Sequence, residues 1–209
     1  MIEPKKIRGA IVWTSGAAVD ADGAPNAYRL DDTGLDDIRD AQNHEGWVGA
    51  VTDNGLPTGK PLVQGNDDPC PGALISPTSL RDHAKKRTDP TAYVDATQVP
   101  YLAISPELRV MGVRFGDLAV AVRGDRQVGL ICADGGTHNH YGEVSIAAAV
   151  ALGIPSSPRN GGCSGGVTFY VFPGTALSPA PPWPRDVDEI EATASALFSA
   201  WKAGAAGAA

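Results

Sequence analysis

Between residues 101 and 133 the chain carries four apolar runs, near 101–105, 109–114, 117–123 and 127–133, with only a few residues between them. A parallel crossover through a helix needs about a dozen residues, so runs this close are expected to pair as antiparallel neighbours or curl into a small barrel. Gly124-Asp125, between the last two runs, has the composition of a tight hairpin turn. Short apolar runs near 8–14, 47–52 and 166–172, bounded by Gly, Pro or Asp, read as strands of the same kind. The abundance of turn residues, 25 Gly and 17 Pro, fits many short elements. The expected fold is β-rich α+β, a barrel-like core with a few peripheral helices.

Three helices are expected. The first covers 33–42, with Asp32 or Thr33 as cap and Leu35, Ile38 and Ala41 on one face. The second opens near Glu143 and runs to Gly153, with Pro155 beyond as a stop. The third covers 186–202, where Val187, Ile190, Ala194, Leu197, Phe198 and Trp201 recur at helical intervals and form a stripe that packs back onto the body. Asp186 and Glu189 have the spacing of a capping box. The organisation read from this is one domain over 1–175, a Pro-rich linker over 176–185, the C-terminal helix, and a small-residue tail over 203–209 expected to be flexible.

A formal charge of -7 argues against nucleic acid as a partner, since phosphate binding needs clustered Lys and Arg, and suits a neutral or cationic ligand. Cys70, Cys132 and Cys163 lack the spacing of a zinc ribbon or a redox pair. Cys132 lies in an apolar run and is expected to be a buried thiol, while Cys70 and Cys163, in Pro- and Gly-rich loops, could be bridged or free. The N-terminal residues carry charges without the apolar stretch of a cleaved signal, and no segment has the length to span a bilayer. No membrane association and no cofactor are expected, and a monomer is.

Chemistry concentrates in residues 134–143, where Asp134 closes a strand-like run, Gly135-Gly136 follow, and His138, His140 and Tyr141 lead to Glu143. Two carboxylates fixed at the ends of such a loop are the minimum equipment for glycoside hydrolysis, one donating a proton to the leaving oxygen and the other activating water. The same residues also suit plainer roles, Asp as a turn former and Glu as a partner of the helix dipole. His138 and His140 could hold a metal if extended, but no third ligand is evident, so no metal is assigned. Asp20-Ala21-Asp22-Gly23 has alternating acids like part of a calcium loop. Pro25 and Asp31 stand where an EF-hand needs Gly and Glu. The segment therefore reads either as an Asp-Gly turn or as an acidic groove lining. No nucleophile elbow, P-loop or dinucleotide fingerprint is present, and Asn160–Gly166 reads as a plain flexible loop.

Five segments in order, residues 19–25 with Tyr28, 92–101, 115–120, Asp134 with 141–147, and 166–174, resemble the fungal-type chitosanases of glycoside hydrolase family 75. The resemblance implies a compact β-barrel core, with the double-psi type as one form it could take, and an inverting endo-hydrolase of β-1,4-linked glucosamine polymer. It implies Glu143 as general acid and Asp134 as the base, with a polysaccharide as partner; Asp20, Asp22, Tyr28, His138, His140 and Tyr141 are expected as substrate contacts. It also implies an extracellular protein, although no cleavable signal is read here. The chain departs from the family after Asp134, where Gly135-Gly136-Thr137-His138 replaces an expected Gly-Pro. A physical tension attaches to the roles, because a Glu at a helix N-terminus is stabilised as its anion whereas a general acid needs a raised pKa. The competing expectations are a hydrolase of another amino-sugar glycan such as peptidoglycan, acting as a secreted toxin, and a carbohydrate-binding protein without activity.

Overall fold

The computed structural model describes residues 2–177 and 185–206. In chain order the strands are β1 (Lys5–Ile7), β2 (Ala10–Asp20), β3 (Gln42–Asn43), β4 (Gly46–Trp47), β5 (Tyr101–Ile104), β6 (Leu118–Arg123), β7 (Arg126–Gly135), β8 (Glu143–Ser145) and β9 (Cys163–Phe172). The helices are α1 (Pro106–Val110), α2 (Ile146–Ala151) and α3 (Val187–Ala206). Seven strands in the order β1-β2-β8-β5-β7-β6-β9 form one sheet, and β9 pairs back onto β2, which closes six of them, β2 to β9 in that order, into a barrel with β1 at its edge. The β-rich fold with a barrel core and a C-terminal helix expected from the sequence is therefore the fold observed. Two of the pairings, β2 with β8 and β5 with β7, are parallel, and the rest are antiparallel.

Alternation along the strands decides what lies inside. Ile11 and Trp13 of β2, Leu102 and Ile104 of β5, Leu130 and Cys132 of β7, Val144 of β8, and Phe169 and Val171 of β9 fill the barrel interior as one buried cluster. Leu108 of α1 and Ala148 and Ala149 of α2 join the same cluster. The intervening residues Tyr101, Ile131, Ala133, Val120 and Leu118 face outward, yet they are also buried. They are covered by two things. Helix α3 packs over β6 and β7 with Ile190, Ala194 and Phe198, and residues 21–100 wrap the opposite outer face with Ala21, Ala27, Tyr28, Leu74 and Val94. Removing Ile190 and Phe198 from water stabilises the docking of α3 by roughly 1.5–3 kcal/mol each. Gly129 allows the helix to come this close, because a Cβ there would stand 2.9 Å from the Cα of Glu191.

Residues 21–100 contain little regular structure and are fastened by backbone hydrogen bonds such as Val51 to Ile75 and Leu74 to Tyr28. The amide of Gln64, buried beneath them, donates to the carbonyls of Pro25 and Leu74. The helix expected over 33–42 is absent. The backbone donors that would build it go elsewhere: Leu35 and Asp36 donate to the carbonyls of Asn26 and Ala27, and the amides of Thr33, Ile38 and Arg39 are taken by the carboxylates of Asp31, Asp32 and Asp37. Such local side-chain acceptors compete directly with helical hydrogen bonds. The strand expected over 47–52 reduces to Gly46–Trp47 paired with Gln42–Asn43, followed by a single bridge from Thr52 to Pro61.

Two further expectations are corrected. The run 109–114 is the end of α1 and its exit, not a strand, because Ser105 caps a helix that has Pro106 in its first turn. The second helix begins at Ile146 instead of Glu143; its cap is Ser145, whose hydroxyl accepts from the amide of Ala148 and of Tyr101 and donates to the carbonyl of Val99. Glu143, Val144 and Ser145 form β8, wedged between β2 and β5. Helix α3 continues to Ala206, past the expected end at 202; the linker residues 178–184 and the tail residues 207–209 lie outside the described residues. All three cysteines are free thiols, Cys132 in the barrel interior and Cys70 beside the guanidinium of Arg29. Among the described residues, no helix is long and apolar enough to cross a membrane.

Candidate active site

The register of three neighbouring strands brings the carboxylates together. Ala103 of β5 pairs with Glu143 on one side and with Asp134 on the other. Residues opposite one another in a sheet share a face, so both acids project to the face that Ala103 occupies. Alternation would have turned Asp134 into the barrel, since its predecessor Ala133 already faces outward. A register shift between Leu102 and Ala103 of this pairing adds a residue on β7 and swings Asp134 out beside Ala133. One strand further, Ala18 of β2 pairs with Glu143, and Asp20, two residues on, therefore shares the same face.

These groups floor a cleft of about 500 Å³ between the outer barrel wall and residues 21–100, lined by Asp20, Asp22, Asp36, Asp40, Asp134 and Glu143 among others, with no Lys or Arg. Tyr28 and Thr137 also line it. Asp134 has one oxygen, Oδ1, held by three donors: the amide of Ser79 at 2.9 Å, its hydroxyl at 2.9 Å, and the amide of Gly135 at 2.8 Å. Asp20 accepts from the amide of Asp22 at 2.8 Å, and Asp22 accepts from the hydroxyl of Ser76 at 2.9 Å. The hydroxyl of Tyr101 donates to the carbonyl of Asp22 at 2.9 Å and steadies the turn that carries both acids. The loop after Asp134 passes close over Glu143, so close that a Cβ on Gly136 would stand 3.2 Å from Oε2.

Crowding buried acids together disfavours their anions. Burial, followed by the charge of Asp134, pushes Asp20 up to about 7. Burial and then the charge of Asp20 push Glu143 up to about 7, against the lowering influence of His140. Burial also raises Asp134 to about 6, partly offset by its three hydrogen bonds, and raises Asp36 to about 6. Asp22 is raised well above the usual carboxylate range by burial and by its two acidic neighbours. Near neutral pH the cluster therefore shares protons among its members. The expected opposition between the helix dipole and a general acid at Glu143 does not arise, because Glu143 lies on β8 and α2 starts three residues later.

The structure brings together Asp20, Asp22, Tyr28, Asp134 and Glu143, as the sequence analysis anticipates, and separates the rest. His138 points away, its Nδ1 2.8 Å from Glu107 Oε1, and is largely exposed. Tyr141 packs toward Trp13, with ring centroids 6.3 Å apart, and is not among the residues that line the cleft. His140 stands at the rim, Nδ1 3.9 Å from Glu143 Oε2. His138 and His140 therefore have different carboxylate partners and do not form a shared metal site. The described residues whose ligand atoms converge best are Asp20, Asp22 and Asp134, all within 4.8 Å of one another, an all-oxygen set of the kind a hard divalent cation takes.

Several residues in or behind the cleft escape the sequence analysis. Asp36 and Asp40 lie in the acidic stretch assigned to a helix. Ser79, which orients Asp134, belongs to no motif, and nothing in its surroundings Ser76-Pro77-Thr78 announces it. Comparison with known proteins adds no assignment: no protein-family model matches the sequence, and no curated protein matches it.

Proposed function

We propose that this chain is an inverting, endo-acting glycoside hydrolase that cuts β-1,4 linkages in an amino-sugar polymer, with chitosan as the simplest substrate. The observation that carries the proposal is the placement of Asp134 and Glu143 in one pleat row on either side of Ala103, at the floor of an acid-lined cleft. Adjacent strands lie about 4.8 Å apart, so two carboxylate-bearing strands separated by a third have backbones roughly 10 Å apart. That span leaves room for a sugar ring and a water between carboxyl groups, as inversion requires.

Glu143 is the general acid. Its raised pKa keeps a fraction protonated near neutral pH, and that proton passes to the glycosidic oxygen as the bond to the anomeric carbon breaks. Asp134 is the base. Its Oδ1 is saturated by Ser79 and Gly135, which leaves Oδ2 to take a proton from the water that attacks the anomeric carbon from the opposite face. The remaining acids suit the ammonium groups of glucosamine, whose charge offsets the mutual repulsion of the cleft.

The test is size analysis of chitosan after incubation with the protein, beside Glu143→Gln. Falling chain length with the wild type and none with the variant supports the proposal. Chitosan that is bound but never shortened would make the chain a carbohydrate-binding protein.

A further inference from the structure

Next to the carboxylate cleft, and sharing Val48 with it, lies a pocket of about 360 Å³. It is lined by Trp47, Ser79, Arg81, Arg87 and Tyr93 among others. Its size falls in the range of small-molecule sites, about 300–1,000 Å³. The two chambers adjoin at the catalytic machinery itself, since Ser79 lines the pocket while its amide and hydroxyl hold Asp134.

The charge reverses across this boundary. The cleft has six acidic residues and no Lys or Arg in its lining, whereas the pocket has two arginines and no acid. Both arginines line the pocket together with Tyr93, whose hydroxyl donates to the backbone carbonyl of Arg87 at 2.8 Å. Arg81 donates through Nη1 to the carbonyls of Asp82 and Lys85, both at 3.3 Å, which fixes its side chain and leaves its other donors for a ligand. Arg87 lies over Gly55, where a Cβ would stand 2.6 Å from Nη1. Among the described residues, neither arginine is paired with a carboxylate. Trp47 is half-buried and offers an aromatic face, the surface against which the C–H face of a sugar ring packs. Planar guanidinium groups beside an apolar wall are the recognition chemistry of a carboxylate on a ring.

We propose that this pocket is a subsite for a carboxylate-bearing sugar, so that the glycan cut here has an acidic unit next to the amino sugar held over Asp20, Asp22 and Asp36. The inference rests on the reading of the neighbouring cleft as a glycosidase site and extends it from a homopolymer to a mixed polymer. The carboxylate can come from a hexuronic acid or from the lactyl ether of a muramic-type sugar. The recognition chemistry is the same in both.

The experiment is calorimetric titration of the Glu143→Gln protein, which holds substrate without cutting it. Three tetrasaccharide probes are used: glucosamine alone, glucosamine alternating with glucuronic acid, and glucosamine alternating with muramic acid. At least one acidic probe should bind, and its identity gives the source of the carboxylate. Adding Arg81→Gln and Arg87→Gln should weaken that probe about tenfold or more, the loss of charge-assisted hydrogen bonds, while the glucosamine probe changes by less than about twofold. Arg87→Gln alone, at an exposed side chain, keeps the test valid if the double change unfolds the protein, and should give part of the same loss. The subsite is overturned if neither acidic probe binds, or if the arginine variants weaken all three probes alike or none. If the wild type shortens no glycan while arginine-dependent binding persists, the glycosidase reading falls and the subsite stands; if it cuts chitosan and binding ignores the arginines, only the subsite falls.

Discussion

Asp134 and Glu143 face one another across Ala103, each paired with it in the barrel wall, so the distance between the two acids is set by the width of a single intervening strand. The sheet supplies a rigid ruler where a flexible loop between the two residues could not.

This ruler makes stereochemistry predictable. A crystal structure of the protein should show the two carboxyl groups roughly 6.5–9.5 Å apart, and proton NMR of fresh product should show the inverted anomer before mutarotation. A retained anomer, or carboxyl groups about 5 Å apart, would contradict the assigned roles.

Glu143→Gln and Asp134→Asn should each lower kcat by about 10²–10⁴-fold. The double variant should be little worse than the poorer single one, because the two groups act in one concerted step. Asn at 134 can keep its carbonyl toward Ser79 and Gly135, so circular dichroism and melting temperature should stay near those of the wild type. Near-normal turnover in folded Glu143→Gln would remove this residue from the mechanism.

The pH dependence follows from the raised acids. Activity needs Asp134 ionised and Glu143 protonated, so kcat/KM should rise through about 6 and fall through about 7, a narrow bell. Stability runs the other way from an ordinary salt-bridged protein. Asp20 and Glu143 bind protons more tightly folded, at about 7, than unfolded, at about 4, so the native state holds the extra protons between these values. Stability is then fully present below about pH 4 as far as these groups are concerned, and is lost as pH rises through 7. Asp20→Asn should flatten that loss and raise the melting temperature at pH 8, by a free energy on the order of a few kcal/mol shared with its coupled neighbours. A melting temperature that climbs from pH 5 to pH 8 would refute the account.

How much of this was legible in the sequence depended on where the decisive hydrogen bonds were. The hairpin of β6 and β7 turns at Gly124-Asp125 as read, because turn chemistry and strand alternation are local. The acids of the site were legible as residues, but the bulge that turns Asp134 outward was not, since it comes from pairing with β5. Residues 33–42 looked helical because Leu35, Ile38 and Ala41 are correctly spaced, yet three Asp side chains capture the backbone amides. Glu143 looked like a helix opener because β8 is three residues long and merges into α2 without a turn. Ser79 was invisible for a simpler reason: its role consists of contacts with Asp134, a residue far away in the chain.

The acidic cleft should discriminate by charge. Asp40, exposed at its edge, is suited to meeting an ammonium group without supporting the fold. Asp40→Asn should raise KM for chitosan severalfold and leave kcat nearly unchanged, since the contact is equally available to ground and transition states. The wild-type KM should also rise with salt, which screens such contacts over about 10 Å at 0.1 M. A KM insensitive to both changes would remove electrostatic recognition from the cleft.

Gly142 connects the position of Glu143 to the backbone of β2, and its replacement separates strain from steric conflict. It sits at φ +103, a conformation that L side chains avoid, and a Cβ there would meet the carbonyl oxygen of Gly16 at 2.3 Å. The carbonyl of Gly142 also accepts from the amide of Ala18, so any shift pulls on the pairing that seats Glu143. Gly112 provides the control, with φ +102 and no atom within 4 Å of its missing Cβ. Gly112→Ala should cost strain alone, about 1–3 kcal/mol, with kcat retained in the folded protein. Gly142→Ala should cost more than that and also lower kcat by an order of magnitude or more, because a displacement of about 1 Å at a catalytic group is worth up to about 10²-fold. Equal melting temperatures and equal turnover for the two variants would show that the backbone before Glu143 has slack, and that the geometry of the acid does not depend on Gly142.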